Sequence, residues 1–279
     1  MAATVRCVNP VVVVSVSAAC LVLFVALDVR DAGFRASWST DRARLQRNIG
    51  FLASNFVTIV VLNAITRALA PHLPHLMSWQ SAGVVDVVIE VTACLLVAEL
   101  VNWGSHWAKH KHTWLWQFHL QHHVETRYSV NLTLHTHGVE VIFTGVAMSS
   151  LLCVLGFSRF AVDAFTVAYF CANLYKHCSA RMSLGPLDAI FVGPAYHRLH
   201  HARAADMNGW HGNYGSVLTV FDVLFGTARF PEQHELDEVY ARTPGVDGTE
   251  PFGFVDEMLA PLTASARAAS SAARSAAAE

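Results

Sequence analysis

Apolar residues in this chain come in long runs rather than in the alternation of a half-buried strand. Pro10 to Leu27 carries no charge, and Asn48 to Thr66 is uncharged between Arg47 and Arg67. Val84 to Trp103 is apolar but contains Asp86, Glu90 and Glu99. Val141 to Ser158 is uncharged between Glu140 and Arg159, and Phe165 to Tyr175 is a shorter run. A helix crossing a hydrocarbon core needs about 20 mostly apolar residues. The runs therefore predict an all-α, integral membrane helical bundle of four to five apolar segments. The last two are expected to form a hairpin turning near Gly156-Phe157-Ser158. Arg6 ahead of the first run raises a signal peptide as an alternative, but the run is long and no A-x-A site follows it.

Composition points the same way. Of the 279 residues, 53% are apolar and 14% charged, against roughly 25% charged in an average globular chain. Disorder, a basic nucleic-acid-binding domain and a collagen-like fibre are excluded. The six cysteines form no CxxC and lie mostly in apolar runs, which predicts buried thiols rather than a disulfide framework or a zinc ribbon. Sidedness follows from Lys and Arg. The Asp28–Arg47 loop holds Arg30, Arg35, Arg42, Arg44 and Arg47 and is expected to be cytoplasmic, which puts the N-terminus outside. Only Arg6, Arg67 and Arg159 of the 19 basic residues then fall on the outer side. The region after Trp103 comes to lie on the cytoplasmic side. The Ala/Ser-rich stretch from Thr263 to Glu279 reads as a frayed helix or a disordered tail.

Histidine changes the picture. There are 16, and half of them fall in three clusters: His106-x-x-x-His110, His119-x-x-His122-His123 and His197-x-x-His200-His201. Residues at i, i+3 and i+4 share one helical face, so each cluster aims two or three imidazoles the same way. On one continuous helix His106 and His119 would stand about 220° apart. The chain must therefore break between them, near Lys111-His112-Thr113. Neutral imidazoles around divalent metal relieve the repulsion that so many close histidines would suffer if charged. More histidines are present than one metal can take, so two metals are implied. Imidazole suits Zn, Cu, Fe and Ni alike, and the absence of cysteine from the clusters argues against structural zinc. The histidines lie outside the apolar runs, which disfavours a metal-transport protein. A zinc hydrolase would need fewer imidazoles and a positioned carboxylate base.

These residues resemble the fatty acid hydroxylase / sterol desaturase superfamily of membrane di-iron enzymes. The resemblance runs from about Glu99 to Thr227. It rests on the order HxxxH, HxxHH, hairpin, single His, HxxHH, with Asn131 after the second cluster. It also includes Asn173-x-x-x-His177 and Asn213-Tyr214-Gly215 followed by Phe221-Asp222-x-x-Phe225-Gly226-Thr227. The resemblance implies a helical cytoplasmic cap with metal ligation by His106, His110, His119, His122, His123, His177, His197, His200 and His201. Members with a fuller set have a histidine where this chain has Asn173, and His137 is the candidate for the missing ligand. Glu99 stands where relatives have Asp, Trp103 where they have Tyr, and Trp107 where Arg is common. His135-Thr136-His137-Gly138 replaces an R-x-H-P motif. Glu99 is expected to accept a hydrogen bond from a ligand imidazole, and Asn131, Asn173, Tyr214 and Asp222 to support the site.

The resemblance further implies two iron ions, which zinc can replace during expression, with O2 as co-substrate. The activity implied is hydroxylation of an unactivated C–H bond in a membrane lipid: a fatty acyl, sterol-like or amino-acid-headed one. Desaturation by the same site is the alternative. Electrons are expected from a separate ferredoxin, cytochrome b5-like protein or reductase, and no nucleic-acid partner is expected. The organisation expected is 1–82, N-terminal transmembrane helices and loop; 83–235, catalytic domain; 236–279, C-terminal segment. The location expected is multi-pass, in a bacterial cytoplasmic membrane or, in a eukaryote, the endoplasmic reticulum. Intramembrane Glu90 is a candidate for contact with substrate or a neighbouring helix. His112, His135 and His211 lie near the clusters, whereas His72, His75 and His234 read as surface residues.

Overall fold

The structure, a computed structural model, describes residues 10–30, 42–79, 83–249 and 253–263. The expectations for Arg6, Cys7, Arg35 and the Ala/Ser-rich tail beyond Thr263 lie outside the described residues. Ten α-helices occur among those described: α1 (Pro10–Arg30), α2 (Arg42–Leu69), α3 (Val84–Lys111), α4 (Thr113–His123), α5 (Gly138–Val154), α6 (Arg159–His177), α7 (Pro194–His201), α8 (Val220–Leu224), α9 (Leu236–Ala241) and α10 (Phe254–Leu259). Extended pairing among them is limited to isolated bridges such as Phe191 with Leu218.

The five long helices pack as a row: α1 on α6, α6 on α3, α3 on α5, and α5 on α2. Cys94 and Ala98 of α3, Met148 and Leu152 of α5, and Ala161 and Phe165 of α6 form the bundle core. The outer faces are apolar and exposed, with Val11, Val14, Val22, Phe56, Val57, Val85 and Phe143 each more than half exposed. A water-soluble chain does not leave apolar surface on that scale uncovered. Val11–Arg30 and Arg44–His72 are long and apolar enough to cross a membrane, and Gly138–Val154 is a shorter apolar helix. These are features of a membrane protein. α3 is long enough to cross but carries its three carboxylates in the run, and each is used internally. Asp86 accepts from the backbone of Gly83 at the helix start. Glu90, 1% exposed, accepts from Ser158 N at 2.6 Å and so ties α3 to the α5–α6 turn, a helix-neighbour role rather than a free intramembrane acid.

That turn is where the run pattern put it. Gly156 adopts φ +69°, and a Cβ there would meet the Met77 carbonyl oxygen at 2.0 Å, so only glycine fits. Ser158 then caps α6 through its hydroxyl. The predicted break also occurs: His112 is extended (φ −110°, ψ 118°) between α3 and α4. Helices α4, α7, α8 and α9, with the connecting loops, form a cap at one end of the bundle. Its own small core contains Leu199, Met207 and Val239. α10 packs back on α2, where the buried Arg47 bridges Glu125 (2.5 Å) and Glu257 (2.8 Å).

Candidate metal centre

The break at His112 lets α4 fold back on α3, so that their imidazoles converge with those of α6 and α7. They sort into two groups. His106, His110, His119, His123 and His200 form one; His122, His177, His197 and His201 form the other. Within each group the candidate ligand nitrogens lie within 4.8 Å of one another. Each HxxHH motif serves both groups. α4 sends His119 and His123 to the first and His122 to the second, while α7 sends His200 to the first and His197 and His201 to the second. Adjacent residues on a helix point about 100° apart, so a pair such as His122-His123 reaches two neighbouring centres that a single-face reading of the motif treats as one.

Hydrogen bonds set the tautomers. The Nδ1 of His106 donates to the Tyr214 carbonyl (2.8 Å), that of His200 to the Gly212 carbonyl (2.7 Å) and that of His122 to the Leu132 carbonyl (3.1 Å). His177 Nδ1 donates to the Asn173 carbonyl (2.9 Å), and His119 Nδ1 to the Glu140 carboxylate (3.2 Å). A neutral imidazole has one N–H, so in all five the Nε2 carries a bare lone pair. Those nitrogens meet. His123 Nε2 stands 3.2 Å from the Nε2 of both His119 and His200, and His197 Nε2 stands 3.0 Å from His177 Nε2 and 3.2 Å from His201 Nε2. Nitrogens bound to one metal at about 2.1 Å stand about 3.0 Å apart across a right angle and about 3.4 Å apart in a tetrahedron. Lone pairs converging at this spacing suit a shared cation, and His106 Nε2 is buried without a hydrogen-bond partner. The residues present therefore fit metal ions.

Burial holds these imidazoles neutral. Desolvation pushes the basicity of all nine well down from the ordinary histidine range, His122 to about 4, and neighbouring imidazoles depress most of them further. A neutral imidazole is the ligating form.

The supporting residues differ from expectation in instructive ways. His137 joins neither group. Its Nδ1 accepts from Val139 N (3.1 Å) as the cap of α5 and its Nε2 donates to the Met258 carbonyl (3.1 Å), so both nitrogens are committed and no tenth ligand comes from it. Glu99 touches no imidazole; its Oε1 gathers the backbone N–H groups of Ser216, Val217 and Leu218 at 2.6–3.2 Å. The carboxylate that does hold a ligand imidazole is Glu140, which also pairs with Lys109 Nζ at 2.6 Å. Sequence reasoning passed over Glu140 as the boundary of an apolar run, and nothing in its spacing to His119 marks the contact. Asn131 lies in a neighbouring cleft rather than against the histidines. Asn173 contributes its carbonyl to His177, while its side chain turns back to the Tyr169 carbonyl. His135 is buried against Phe51 and bonds Asn48, again outside both groups.

Asp222 organises the loop that carries Tyr214. It accepts from Trp103 Nε1, the Tyr196 hydroxyl, Thr227 Oγ1 and the backbone N–H groups of Tyr214 and Gly215, all within 3.0 Å. The Asn213-Tyr214-Gly215 motif gains a physical meaning here. Asn213 adopts φ +57° and holds the Tyr196 and Arg229 carbonyls, Tyr214 presents its carbonyl to His106, and a Cβ on Gly215 would meet the Leu218 carbonyl at 2.4 Å.

A cavity of about 360 Å³ reaches the histidines from the bundle. Ile59, Leu62, Val141, Met148 and Phe165 line its apolar part, and His106, His119, His122, His177 and His197 its polar end.

Comparison with known proteins agrees with this architecture. Residues 91–227 match the fatty acid hydroxylase family. The ornithine lipid hydroxylase OlsE of Rhizobium tropici is 29% identical over 184 residues, 65% of this chain and 53% of that protein. Human alkylglycerol monooxygenase is 28% identical over 155 residues, 54% of this chain and 33% of that protein. A cholesterol 25-hydroxylase-like protein of Danio rerio is 27% identical over 157 residues, 54% of this chain and 60% of that protein. The chain thus spans between about a third and three fifths of these relatives. No solved structure matches. With its histidine boxes in the matched region and lipid hydroxylases and monooxygenases as relatives, the chain belongs to the fatty acid hydroxylase / sterol desaturase superfamily.

Proposed function

We propose that this protein is an O2-dependent hydroxylase of a membrane lipid, with two iron ions held by the five-histidine and four-histidine groups. The observation that carries the proposal is the convergence of nine imidazoles, eight of them buried and five with their lone pairs set by hydrogen bonds at Nδ1, at the end of an apolar cavity. When bound, the metal pair supplies the reductive activation of O2 that an unactivated C–H bond requires. The protein's own share is geometric. Carbonyls of Tyr214, Gly212, Leu132 and Asn173, with the Glu140 carboxylate, orient the ligands. The apolar walls position the target carbon and limit water. Each turnover takes R–H, O2, two electrons and two protons to R–OH and water.

The relatives' names support a lipid substrate, an ornithine lipid, an alkylglycerol and cholesterol being what they print. The electrons come in this reading from a separate ferredoxin, cytochrome b5-like protein or reductase. The chain is read as multi-pass, with 83–235 as catalytic domain and the metal centre on the cytoplasmic side of the membrane. Untargeted lipid mass spectrometry on cells carrying wild type, His200→Ala or neither tests this. A lipid gaining one oxygen only with wild type is expected. A lipid losing two hydrogens would replace hydroxylation by desaturation. Equal products from wild type and His200→Ala would remove the metal centre from the reaction.

A further inference from the structure

The cavity that reaches the histidines holds two lysines, and they are not alike. Lys109 is paired with Glu140 at 2.6 Å. Lys176, on the last turn of α6 and 3% exposed, has no ion pair or hydrogen bond at its ammonium among the described residues. The acids whose charge reaches it, Glu99 and Asp222, are engaged elsewhere. Glu99 Oε1 gathers the 216–218 backbone, and its Oε2 is buried without a partner, so this carboxylate does not close on the lysine. Asp222 holds the Tyr214 loop.

A second unmet donor stands in the same cavity. Asn102 of α3 is 7% exposed, and its Nδ2 is buried without a hydrogen-bond partner. The helices that carry Asn102 and Lys176 pack on each other. Buried polar groups of a folded chain are nearly all bonded, because an unmade bond there forfeits the water it gave up. Two such donors on one cavity therefore point to a ligand atom that accepts from both. Both unmet groups are N–H donors, which suits an oxygen with no hydrogen of its own, and the charge on Lys176 favours the more electron-rich acceptors. The long walls of the cavity, from Ile59 and Leu62 to Met148 and Phe165, are apolar.

We propose that Lys176 and Asn102 bind an acyl oxygen of the substrate, the carbonyl or carboxylate at the polar end of a hydrocarbon chain, and so choose the carbon that faces the imidazoles. The inference rests on the hydroxylase reading above and deepens it. Lys176 is the residue before His177, and Asn102 precedes His106 by four residues, about one helical turn. The oxygen-bearing end is thus held beside the ligands of both histidine groups, and the rest of the chain lies along the apolar walls. The carbon presented to the metal centre lies near the acyl oxygen and not at the methyl end.

The test uses the full chain in dodecyl maltoside, metal-loaded and kept under nitrogen so that binding is read without turnover. Tritiated palmitate, methyl palmitate and hexadecane are three separate probes in a scintillation proximity assay. Wild type is expected to bind the two oxygen-bearing probes at least about tenfold more tightly than hexadecane. Lys176→Met should remove about 10–100-fold of that affinity and Asn102→Leu about 3–10-fold, with hexadecane binding and bound metal unchanged in both. A Lys176→Met loss larger for palmitate than for its ester would assign the site to a free carboxylate, and equal losses to an acyl carbonyl. Equal binding of all three probes by wild type, or none, would overturn the proposal. So would a variant that weakens hexadecane as much as palmitate, since that marks a structural role. Admitting air and reductant then gives product for fragmentation mass spectrometry. The hydroxyl is expected in the half of the chain nearer the carbonyl, and one in the methyl half would overturn the positioning role. Probe binding as expected with no oxygenated product would count against the hydroxylase reading and leave the oxygen-binding pair standing.

Discussion

The two histidine groups are built from the same parts and are not equivalent. The HxxHH motifs of α4 and α7 divide between them three and three, two to one group and one to the other. The imbalance comes from the long helices. α3 supplies both members of its HxxxH to the first group, whereas α6 supplies only His177, with Asn173 one turn earlier where a second imidazole would sit. The surroundings differ as well. The first group is anchored to a carboxylate, Glu140, and to the loop organised by Asp222. In the second, the Nδ1 atoms of His197 and His201 are buried without a hydrogen-bond partner. The two groups thus differ in number and support: five imidazoles backed by a carboxylate and the Asp222 loop in one, four imidazoles with two Nδ1 atoms lacking partners in the other.

The largest effect should come from cutting either group. His123→Ala and His201→Ala are each expected to abolish turnover and to lower bound metal by about half, with membrane insertion retained. Product quantification and elemental analysis check this, and loss of all metal from either variant would mean the two groups fold as one. A smaller and one-sided effect is expected from Glu140→Gln. Removing the anchor of one ligand imidazole should weaken metal binding at the first group by about 10–100-fold and leave the second unchanged. Glu99→Gln, whose oxygen still accepts from the 216–218 backbone, should change metal affinity less than Glu140→Gln. The reverse order in a chelator competition would restore Glu99 as the ligand's partner.

pH probes both groups together. Their histidines have basicities well below the unfolded value of about 6.5, His122 at about 4. A group that binds protons more weakly when folded favours the folded state above its unfolded pKa and loses that contribution as pH falls. The metal-free protein should therefore be most stable above pH of about 6.5 and lose stability steadily toward pH of about 4. A thermal melting series should follow that slope, and a flat profile would show the imidazoles solvated. The smallest effect is expected at His137→Ala, about 1 kcal/mol for a lost helix cap with metal content unchanged. Metal loss in that variant would return His137 to the ligand set.

Much of this site was legible in the order of residues because its signals are local. HxxxH and HxxHH specify a helical face by spacing alone, and the 220° mismatch between His106 and His119 demands a break that falls at His112. Apolar runs locate helices and Gly156 locates the turn for equally local reasons. What escaped were contacts between segments far apart in the chain. Glu140 reaches His119 across 21 residues, Glu99 reaches the 216–218 backbone across more than a hundred, and the Met258 carbonyl takes the nitrogen of His137. No local pattern encodes which acid meets which base, so Glu99 was matched to an imidazole it does not touch.

The sequence by itself determined that the chain is helical and apolar-surfaced, that it breaks at His112, and that eight histidines stand in three motifs whose helical spacing suits metal ligation. These follow from periodicity and residue type, which the chain carries locally. Only the tertiary structure decided how nine imidazoles divide into five and four, which acid supports them, and that His137 caps a helix. Each of these is a choice among competing partners, and packing of α3, α4, α6 and α7 is what brings one partner within 3 Å and leaves the others out of reach.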